Sequence, residues 1–203
     1  MNMLVLMLPG VSVTYQGEEL GMTNTNISWE DTLDPAGLAC GHERYQECSR
    51  DPERTPMQWT SHVNAGFSSA NKTWLPVNPN YLWLNVESQL GAEDVHNTHI
   101  GVYRDAMKIR NRFKDRSDTS YEVMDNIFLA LNRDWKIILN FNDVDMSINL
   151  SSILVAHQLP VGLVEVAARS VNGSSENSVG QVKDLHSNVY LSSKSALLLV
   201  DLY

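Results

Sequence analysis

Short apolar runs dominate the last two fifths of the chain. From about residue 119 onwards, runs of three to seven apolar or alternating residues are separated by turns rich in Asn, Asp, Gly and Ser. Such runs predict antiparallel β-strands joined by turns. We therefore predict an antiparallel β region of about 80 residues after the polar break at residues 115–120. Its strands are expected at Ile127–Leu131, Trp135–Phe141, Met146–Leu150, Leu163–Ala168, Val189–Leu191 and Ala196–Leu202.

A helical pattern precedes this region. Apolar residues recur at steps of three and four between Val102 and Phe113, which predicts an amphipathic helix over about residues 94–114. Basic residues gather at its C-terminal end, where they suit the helix dipole. His96 and His99 lie three apart near its start. A metal pair would need a third ligand, and none stands nearby in the sequence, so we interpret both as exposed helix residues.

The remaining part shows little periodicity. Val11–Tyr15 (VSVTY) is β-branched and follows Pro9-Gly10, which predicts a short strand. The apolar start MNMLVLM is expected to be core of an element that begins further upstream. Residues 22–91 are rich in Pro, Asn, Gly and Trp and predict long loops with short helical turns. Loops of this length are often functional, and four tryptophans within them favour an ordered structure.

The net charge of the chain argues against one class of partner, nucleic acids. The net charge is −9 and the isoelectric point is about 5.0. Nucleic-acid binders usually carry a basic face, so no nucleic-acid partner is predicted. No apolar run approaches the roughly 18 residues that a spanning helix needs, so no membrane span is predicted.

Four N-x-[ST] sequons begin at Asn26, Asn71, Asn149 and Asn172. Together they indicate a secreted, extracellular glycoprotein. In an oxidising compartment, Cys40 and Cys48 are candidates for a disulfide, and two free thiols are the alternative.

The segment SRDPERTPMQW, residues 49–59, is the strongest candidate for a binding loop. Pro52 and Pro56 fix their own φ and favour extended backbone before them, so Arg50 and Arg54 project from a stiff loop. A guanidinium is a planar fork that binds carboxylates and pairs of hydroxyls. The segment itself does not say which ligand it binds.

Acidic residues supply no evident reaction centre. Glu18 and Glu19 follow the predicted strand and point to opposite sides, so at most one faces a site. Glu19 is therefore either a structural acid bonded to loop amides or an acid at the rim. Retaining glycoside hydrolysis needs two carboxyl groups about 5–5.5 Å apart, and no pair in this sequence is placed to do that. No catalytic residue, metal site or cofactor is predicted in this chain.

Five segments carry a family resemblance. MLPGVSVTYQGEELGM, ISWEDTLDP, SRDPERTPMQW, NAGFS and WLPVN follow one another in this order. Together they resemble the C-terminal part of α-glucosidases of the α-amylase superfamily, in particular the insect maltases. The resemblance is strong over residues 1 to about 116 and looser beyond.

The resemblance implies a fold of class α/β plus all-β. Residues 1–118 would hold the last strand, a long active-site loop and the last helix of a truncated (β/α)₈ TIM barrel, and residues 119–203 an antiparallel β-sandwich domain. The implied activity is retaining hydrolysis of terminal α-glucosidic bonds in maltose- or sucrose-type sugars. In the family the catalytic carboxylates stand upstream of the matching segments. The 203 residues alone are therefore expected to be inactive and to need an N-terminal barrel segment as partner.

The resemblance also implies roles for the two arginines. Arg50 would lie near the aglycone sugar site, and Arg54 would pair with an upstream acid that fixes the non-reducing glucose. In the alternative, both arginines only tie the loop to the barrel. A non-catalytic relative, such as a transporter heavy chain or a gut-surface receptor, is the second functional reading. A short independent protein that uses its β region as an interaction module is the third.

Overall fold

A computed structural model gives the fold and describes residues 1–202. The chain forms two compact units. The first, which we call the sheet unit, comprises residues 1–13 together with the chain from Asp94 onwards. The second, the loop unit, comprises residues 14–93. This division follows contacts in space. The predicted domain boundary near residue 118 concerns the domains of the family and stays a prediction.

The sheet unit contains helices α1 (Asn2–Met7), α5 (His99–Arg112) and α6 (Ser151–Ala156). Its strands are β1 (Ser120–Met124), β2 (Ile127–Leu131), β3 (Trp135–Asn140), β4 (Met146–Asn149), β5 (Leu163–Arg169), β6 (Val182–Asp184), β7 (Asn188–Leu191) and β8 (Ala196–Asp201). Short 3₁₀ turns lie at Val95–Asn97 and Ser175–Asn177.

These strands form two antiparallel sheets. One has six strands in the order β1-β2-β3-β8-β5-β6, and the other pairs β4 with β7. The β1–β2 hairpin turns through Asp125 and Asn126, whose φ angles are 46° and 57°. Positive φ at both central residues is typical of the two-residue turn whose twist matches that of the strands. The antiparallel β prediction is thereby confirmed, whereas the barrel part stays a prediction.

Both faces of the large sheet are covered. On one face Leu129, Ile138 and Leu199 pack with residues of β4, β7 and α6. On the other face Ile137 and Leu198 pack with residues of α1 and α5. A strand buried on both sides needs apolar residues at consecutive positions, because neighbouring side chains point to opposite faces. This explains the unbroken apolar runs of the two central strands, β3 and β8.

The sequence predicted most of these elements. All six strands predicted beyond residue 119 are present, and all their ends agree within one residue. Strands β1 and β6 and helix α6 were not predicted. The predicted helix is present as α5 but begins five residues later, since Thr98 caps it by accepting a hydrogen bond from the backbone N of Gly101. The start MNMLVLM forms helix α1, with Met3, Leu6 and Met7 buried.

The predicted strand over residues 11–15 is wrong for the chain described here. This stretch forms no β-ladder within residues 1–202. Val11 and Val13 are 92% and 78% exposed. A strand requires hydrogen bonds to a neighbour, and the described residues supply no partner strand at this place.

The loop unit is built from short helices. They are α2 (Pro35–Cys40), α3 (Tyr45–Cys48) and α4 (Val86–Leu90), with 3₁₀ turns at Glu18–Leu20, Asp51–Glu53, Val63–Gly66 and Pro79–Leu82. Buried amide side chains join them: Asn78 donates to the carbonyls of Thr23 and Asn24, and Gln89 donates to that of Leu20 at 2.8 Å. Such bonds satisfy buried backbone oxygens that no sheet would satisfy. The predicted long loops with short helical turns are present in this unit.

Candidate functional site

Asp34 holds Arg50 in place. Oδ2 of Asp34 accepts hydrogen bonds from the backbone N of Arg50 at 2.8 Å and from its Nε at 2.9 Å, and Oδ1 accepts from Nη2 at 2.7 Å. The Asp34 side chain is fully buried, while half of the Arg50 side chain remains exposed. The same carboxylate caps α2 through the backbone N of Ala36. One buried acid thus fixes both a helix start and an arginine.

The contact between Asp34 and Arg50 shifts the pKa of both groups. The bonds from the Arg50 guanidinium and backbone hold the pKa of the Asp34 carboxyl well below its usual range. The same carboxylate raises the pKa of Arg50. Both groups are therefore charged under ordinary conditions, and the pair fixes the direction of the Arg50 side chain.

Asp51 ties the loop to a second segment. Its Oδ2 accepts hydrogen bonds from the backbone N of Leu33 at 2.7 Å and of Asp34 at 2.8 Å. Asp51 is only 4% exposed. It is therefore a structural acid in the motif, and it keeps Asp34 next to Arg50.

Arg54 differs from Arg50. Its side chain is exposed, and its guanidinium makes no hydrogen bond or ion pair within residues 1–202. Its backbone is fixed, since its N donates to the carbonyl of Asp51 at 3.0 Å and its carbonyl accepts from Nε1 of Trp74 at 3.1 Å. A charged fork on a rigid support is available for an anionic or polyhydroxylated group.

Aromatic side chains lie beside Arg54. Trp74 contacts Phe67 edge to face, with ring centroids 5.0 Å apart, and 49% of Trp74 is exposed. Phe67 follows a turn in which Asn64 and Ala65 adopt positive φ of 53° and 55°. Asn64 stabilises that turn by donating from Nδ2 to the carbonyls of Ser68 and Ala70. Non-glycine residues with positive φ cost energy and mark places where the fold imposes a conformation.

The predicted disulfide is present. Cys40 and Cys48 are bonded, with Cα atoms 6.4 Å apart, and join the ends of α2 and α3. Arg50 lies two residues beyond Cys48. The covalent link and the Asp34 pair therefore constrain the same loop.

The other predicted site residues make no hydrogen bond or ion pair with Arg50 or Arg54 within residues 1–202. Glu19 accepts a hydrogen bond from the backbone N of Gly17 at 3.0 Å, which is the structural role predicted as one of its two alternatives. The four sequon residues Asn26, Asn71, Asn149 and Asn172 are all exposed. Their glycosylation stays a prediction.

The two helix histidines do not form a pair. His96 bonds through Nδ1 to the buried carboxylate of Asp105, while burial lowers the pKa of His99. Within residues 1–202, no group of three or more His, Cys, Asp or Glu residues is placed to hold a metal ion. The same residues contain no helix that is both long and apolar enough to cross a membrane.

The sequence identified the arginines and, through the resemblance, gave them different roles, but it did not identify the acid that binds Arg50. The acid that binds Arg50 lies 16 residues earlier, in the segment ISWEDTLDP. The only local signal for it is Asp34-Pro35, a typical helix start with an Asp cap and Pro in the first turn. Sequence patterns did not reveal that this cap is also the partner of an arginine.

Comparisons with known proteins agree on a family. The family profile described as "Alpha amylase, catalytic domain" matches residues 1–116. Maltase 1 of Drosophila virilis is 39% identical over 163 residues, which are 76% of this chain and 25% of the maltase. The alpha-glucosidase of Apis mellifera is 39% identical over 155 residues, which are 72% of this chain and 27% of that enzyme. The chain thus spans about a quarter of the length of these relatives.

A further relative is named for a different role. The amino acid transporter heavy chain SLC3A1 of Mus musculus is 30% identical over 171 residues, 76% of this chain and 22% of that protein.

Solved structures share the fold. The isomaltulose synthase SmuA from Protaminobacter rubrum matches with a TM-score of 0.70 and 26% identity, over 98% of this chain and 37% of that one. The isomaltulose synthase from Klebsiella sp. LX3 matches with a TM-score of 0.72 and 20% identity, again over 98% of this chain and 37% of that one.

Proposed function

Because this chain belongs to the alpha-amylase family, we propose that it is part of a maltase-type α-glucosidase. The complete protein would hydrolyse terminal α-glucosidic bonds of maltose- or sucrose-type sugars by a retaining mechanism. The 203 residues alone would be inactive, since in the family the catalytic carboxylates belong to segments that precede the matched part. Small α-glucosides are the proposed substrates, and residues 1–118 are the proposed end of a TIM barrel.

The observation that carries this proposal is the contrast between the two arginines. Arg50 already has a carboxylate partner in Asp34, whereas the guanidinium of Arg54 has none within residues 1–202. Arg54 stands on a loop held by Asp51, Trp74 and a nearby disulfide. We propose that Arg54 pairs with an acid of the preceding barrel segment and, through it, fixes the non-reducing glucose.

Arg50 has a narrower proposed role. Asp34 engages Nε and Nη2, which leaves Nη1 for a hydroxyl of the neighbouring sugar. The tie between Asp34 and Arg50 agrees with the reading in which this arginine mainly anchors the loop. We therefore expect Arg50 to matter for the position of the aglycone more than for the chemical step.

Secretion is part of the proposal. All four sequon asparagines are exposed, and the paired cysteines suit an oxidising compartment. A secreted glycoprotein that acts on external sugars is consistent with these features.

The test compares glucose release from maltose and sucrose by the 203-residue chain and by the upstream-extended protein, both from a secretory host. We expect only the extended protein to be active. In that protein Arg54→Ala should lower kcat/KM by about 100-fold, because it leaves a charged partner unpaired in a closed site. Arg44→Ala is the matched control, since Arg44 is an exposed arginine of the same unit paired with Glu47.

Two results would contradict the proposal. Glucose release by the 203-residue chain alone would mean that its own carboxylates perform the reaction. Full activity of Arg54→Ala in the extended protein would remove Arg54 from the glucose site.

A second candidate is a non-catalytic binding protein, which the match to a transporter heavy chain favours. This candidate predicts an extended protein that folds and associates with a membrane partner but releases no glucose. The same assay therefore separates the two functions.

A further inference from the structure

A pocket of about 310 Å³ lies in the loop unit. It is lined by residues 24–27 and by Tyr45, Gln46, Ser49 and Pro52, and we call it the amide pocket. Its volume is at the lower end of the roughly 300–1,000 Å³ that small-molecule sites occupy. We propose that the amide pocket binds a neutral pyranose ring. This inference depends on the pocket's lining and not on the hydrolytic function proposed above.

The lining has polar groups but no charge. Its polar side chains are the amides of Asn24, Asn26 and Gln46 and the hydroxyls of Thr25, Tyr45 and Ser49. An amide offers both donors and acceptors, which matches sugar hydroxyls that also do both. Phosphate and carboxylate ligands are commonly paired with Arg or Lys, and none of the lining residues is cationic. The chemistry therefore favours a neutral, polyhydroxylated ligand.

Part of the lining is apolar. Ile27, Pro52 and the ring of Tyr45 contribute it. A pyranose ring has faces made of C–H groups and an edge made of hydroxyls. The combination of an aromatic ring, apolar walls and a few amides suits both parts of such a ring.

The pocket is held in shape without a ligand. The two lining segments, residues 24–27 and 45–52, are joined by a hydrogen bond. In it the backbone N of Thr25 donates to the carbonyl of Pro52 at 2.9 Å. The Tyr45 hydroxyl donates to the carbonyl of Ile27 at 3.2 Å and accepts from Nε2 of Gln46 at 3.2 Å. A preformed site binds with a smaller entropic cost than one that must be ordered.

A second layer fixes the tyrosine ring. Trp29 contacts Tyr45 edge to face at a centroid distance of 5.5 Å, and His42 lies 6.4 Å from it. Tyr45 begins helix α3, and Cys48 at the end of this helix is bonded to Cys40. These contacts fix the position of the Tyr45 ring in the amide pocket.

Such a ring could come from two sources. Asn26 lies in the lining and starts the sequon Asn26-Ile27-Ser28, and its exposed side chain makes no hydrogen bond within residues 1–202. Glycosylation would join its Nδ2 to C1 of an N-acetylglucosamine, with loss of one amide proton and of the lipid pyrophosphate carrier. One source of the ring is this tethered sugar, which would lie at the pocket. The other source is a free glucoside that binds from solution.

The first arm of the test uses the 203-residue chain from a bacterial host, which adds no glycan. Methyl α-D-glucopyranoside and N-acetyl-D-glucosamine are titrated while amide NMR shifts are recorded. We expect saturable shifts in residues 24–27 and 45–52. Asn24→Ala should weaken binding by about fivefold through loss of one hydrogen-bonding amide, whereas Asn71→Ala, an exposed asparagine elsewhere in the unit, should not.

The second arm uses the same chain from a secretory host. If the tethered sugar occupies the pocket, nuclear Overhauser contacts join the first N-acetylglucosamine to the Tyr45 ring, and the free probes no longer bind. Ser28→Ala, which removes the sequon, should restore binding of the probes. Probe binding without these contacts assigns the pocket to a free glucoside. If the bacterial protein binds neither probe and the glycan contacts no pocket residue, the proposal is overturned.

Discussion

At the scale of single residues, the Asp34 carboxylate accepts four hydrogen bonds, three of them from Arg50 of the candidate loop. It caps a helix, binds the backbone of Arg50 and forms a two-point pair with its guanidinium. A buried carboxylate with this many donors is stabilised in its charged form. The stabilisation that Asp34 gives to the folded chain should therefore depend on pH.

We expect the stabilising effect of Asp34 to disappear in acid. Its pKa in the folded chain lies well below the value of about 3.9 expected for the unfolded chain. A carboxyl with a lowered folded pKa stabilises the fold above the unfolded pKa and loses that effect as the pH falls towards the folded pKa. Asp34→Asn should thus lower the melting temperature at pH 7, and its difference from the natural chain should shrink below pH about 4.

Thermal unfolding monitored by circular dichroism between pH 7 and pH 2.5 checks this expectation. Asp118→Asn, at an exposed position in the sheet unit, is the control and should change little. A difference for Asp34→Asn that stays constant over the whole range would show that the carboxyl acts without its charge.

Gly101 is a second position where one residue decides local structure. A Cβ at this place would lie 1.7 Å from the carbonyl oxygen of Val95. Gly101→Ala should therefore force the start of α5 to move and should destabilise the chain by about 1–3 kcal/mol. Gly162→Ala is the control, because a Cβ there meets no atom within 4 Å. Equal urea midpoints for the two variants would contradict the expected clash.

At the scale of elements, the disulfide connects α2 and α3. It restricts the conformations of the chain just before Arg50. It links residues eight apart in sequence. Closing a loop of that length stabilises the folded state by about 2–3 kcal/mol in the chain-entropy description. The double variant Cys40→Ala, Cys48→Ala should lose this amount in urea unfolding.

Hydrogen exchange locates the effect. Residues 35–50 should lose protection in the double variant, whereas strands β3 and β8 should keep theirs. A uniform loss over both units would mean that the disulfide stabilises the whole chain and not this loop.

A buried ion pair joins β3 to β8. Lys136 is fully buried and Asp201 nearly so, and Nζ of Lys136 bonds to Oδ2 of Asp201. Burial lowers the pKa of Lys136 and raises that of Asp201, so each charge depends on the other. Lys136→Met should cost about 3–5 kcal/mol, because it leaves a carboxylate buried without a cation.

The combined variant Lys136→Met, Asp201→Leu should recover most of that loss, since apolar pairs replace buried ion pairs well. Lys194→Met is the surface control: Lys194 is half exposed and its partner Asp143 more so, and such pairs contribute about 0–1 kcal/mol. A double variant that is no more stable than Lys136→Met would mean that packing, not charge, requires this lysine.

At the scale of the whole molecule, the sequence predicted elements better than it predicted contacts. Strands β3 and β8 were evident because burial on both faces demands unbroken apolar runs. Strand β1 was missed because it is an edge strand whose residues Tyr121 and Val123 are exposed. Helix α6 was missed because six residues of SSILVA are too short for a helical period to differ from a strand-like run.

Contacts between distant residues explain what else was missed. The resemblance predicted different roles for the two arginines of one motif, but it did not predict that Asp34 pairs with Arg50. Their difference depends on Asp34, which lies in another segment, and on Arg54 having no such partner within the described chain. The predicted strand at residues 11–15 likewise required a neighbour that these residues do not supply. Local patterns predict how a segment folds, but a partner depends on the three-dimensional arrangement.

The divided make-up of the sheet unit has a consequence for synthesis on the ribosome. Helix α1 packs against α5, and Arg110 donates to the carbonyls of Leu6, Leu8 and Gly10, about 100 residues earlier. At roughly 5–20 residues per second, α1 emerges on the order of 5–20 s before its partner helix is made. During that interval Met3, Leu6 and Met7 lack the neighbours that α5 supplies. Nascent chains halted before residue 99 should therefore bind chaperones through residues 1–7, and chains halted beyond the final strand should not.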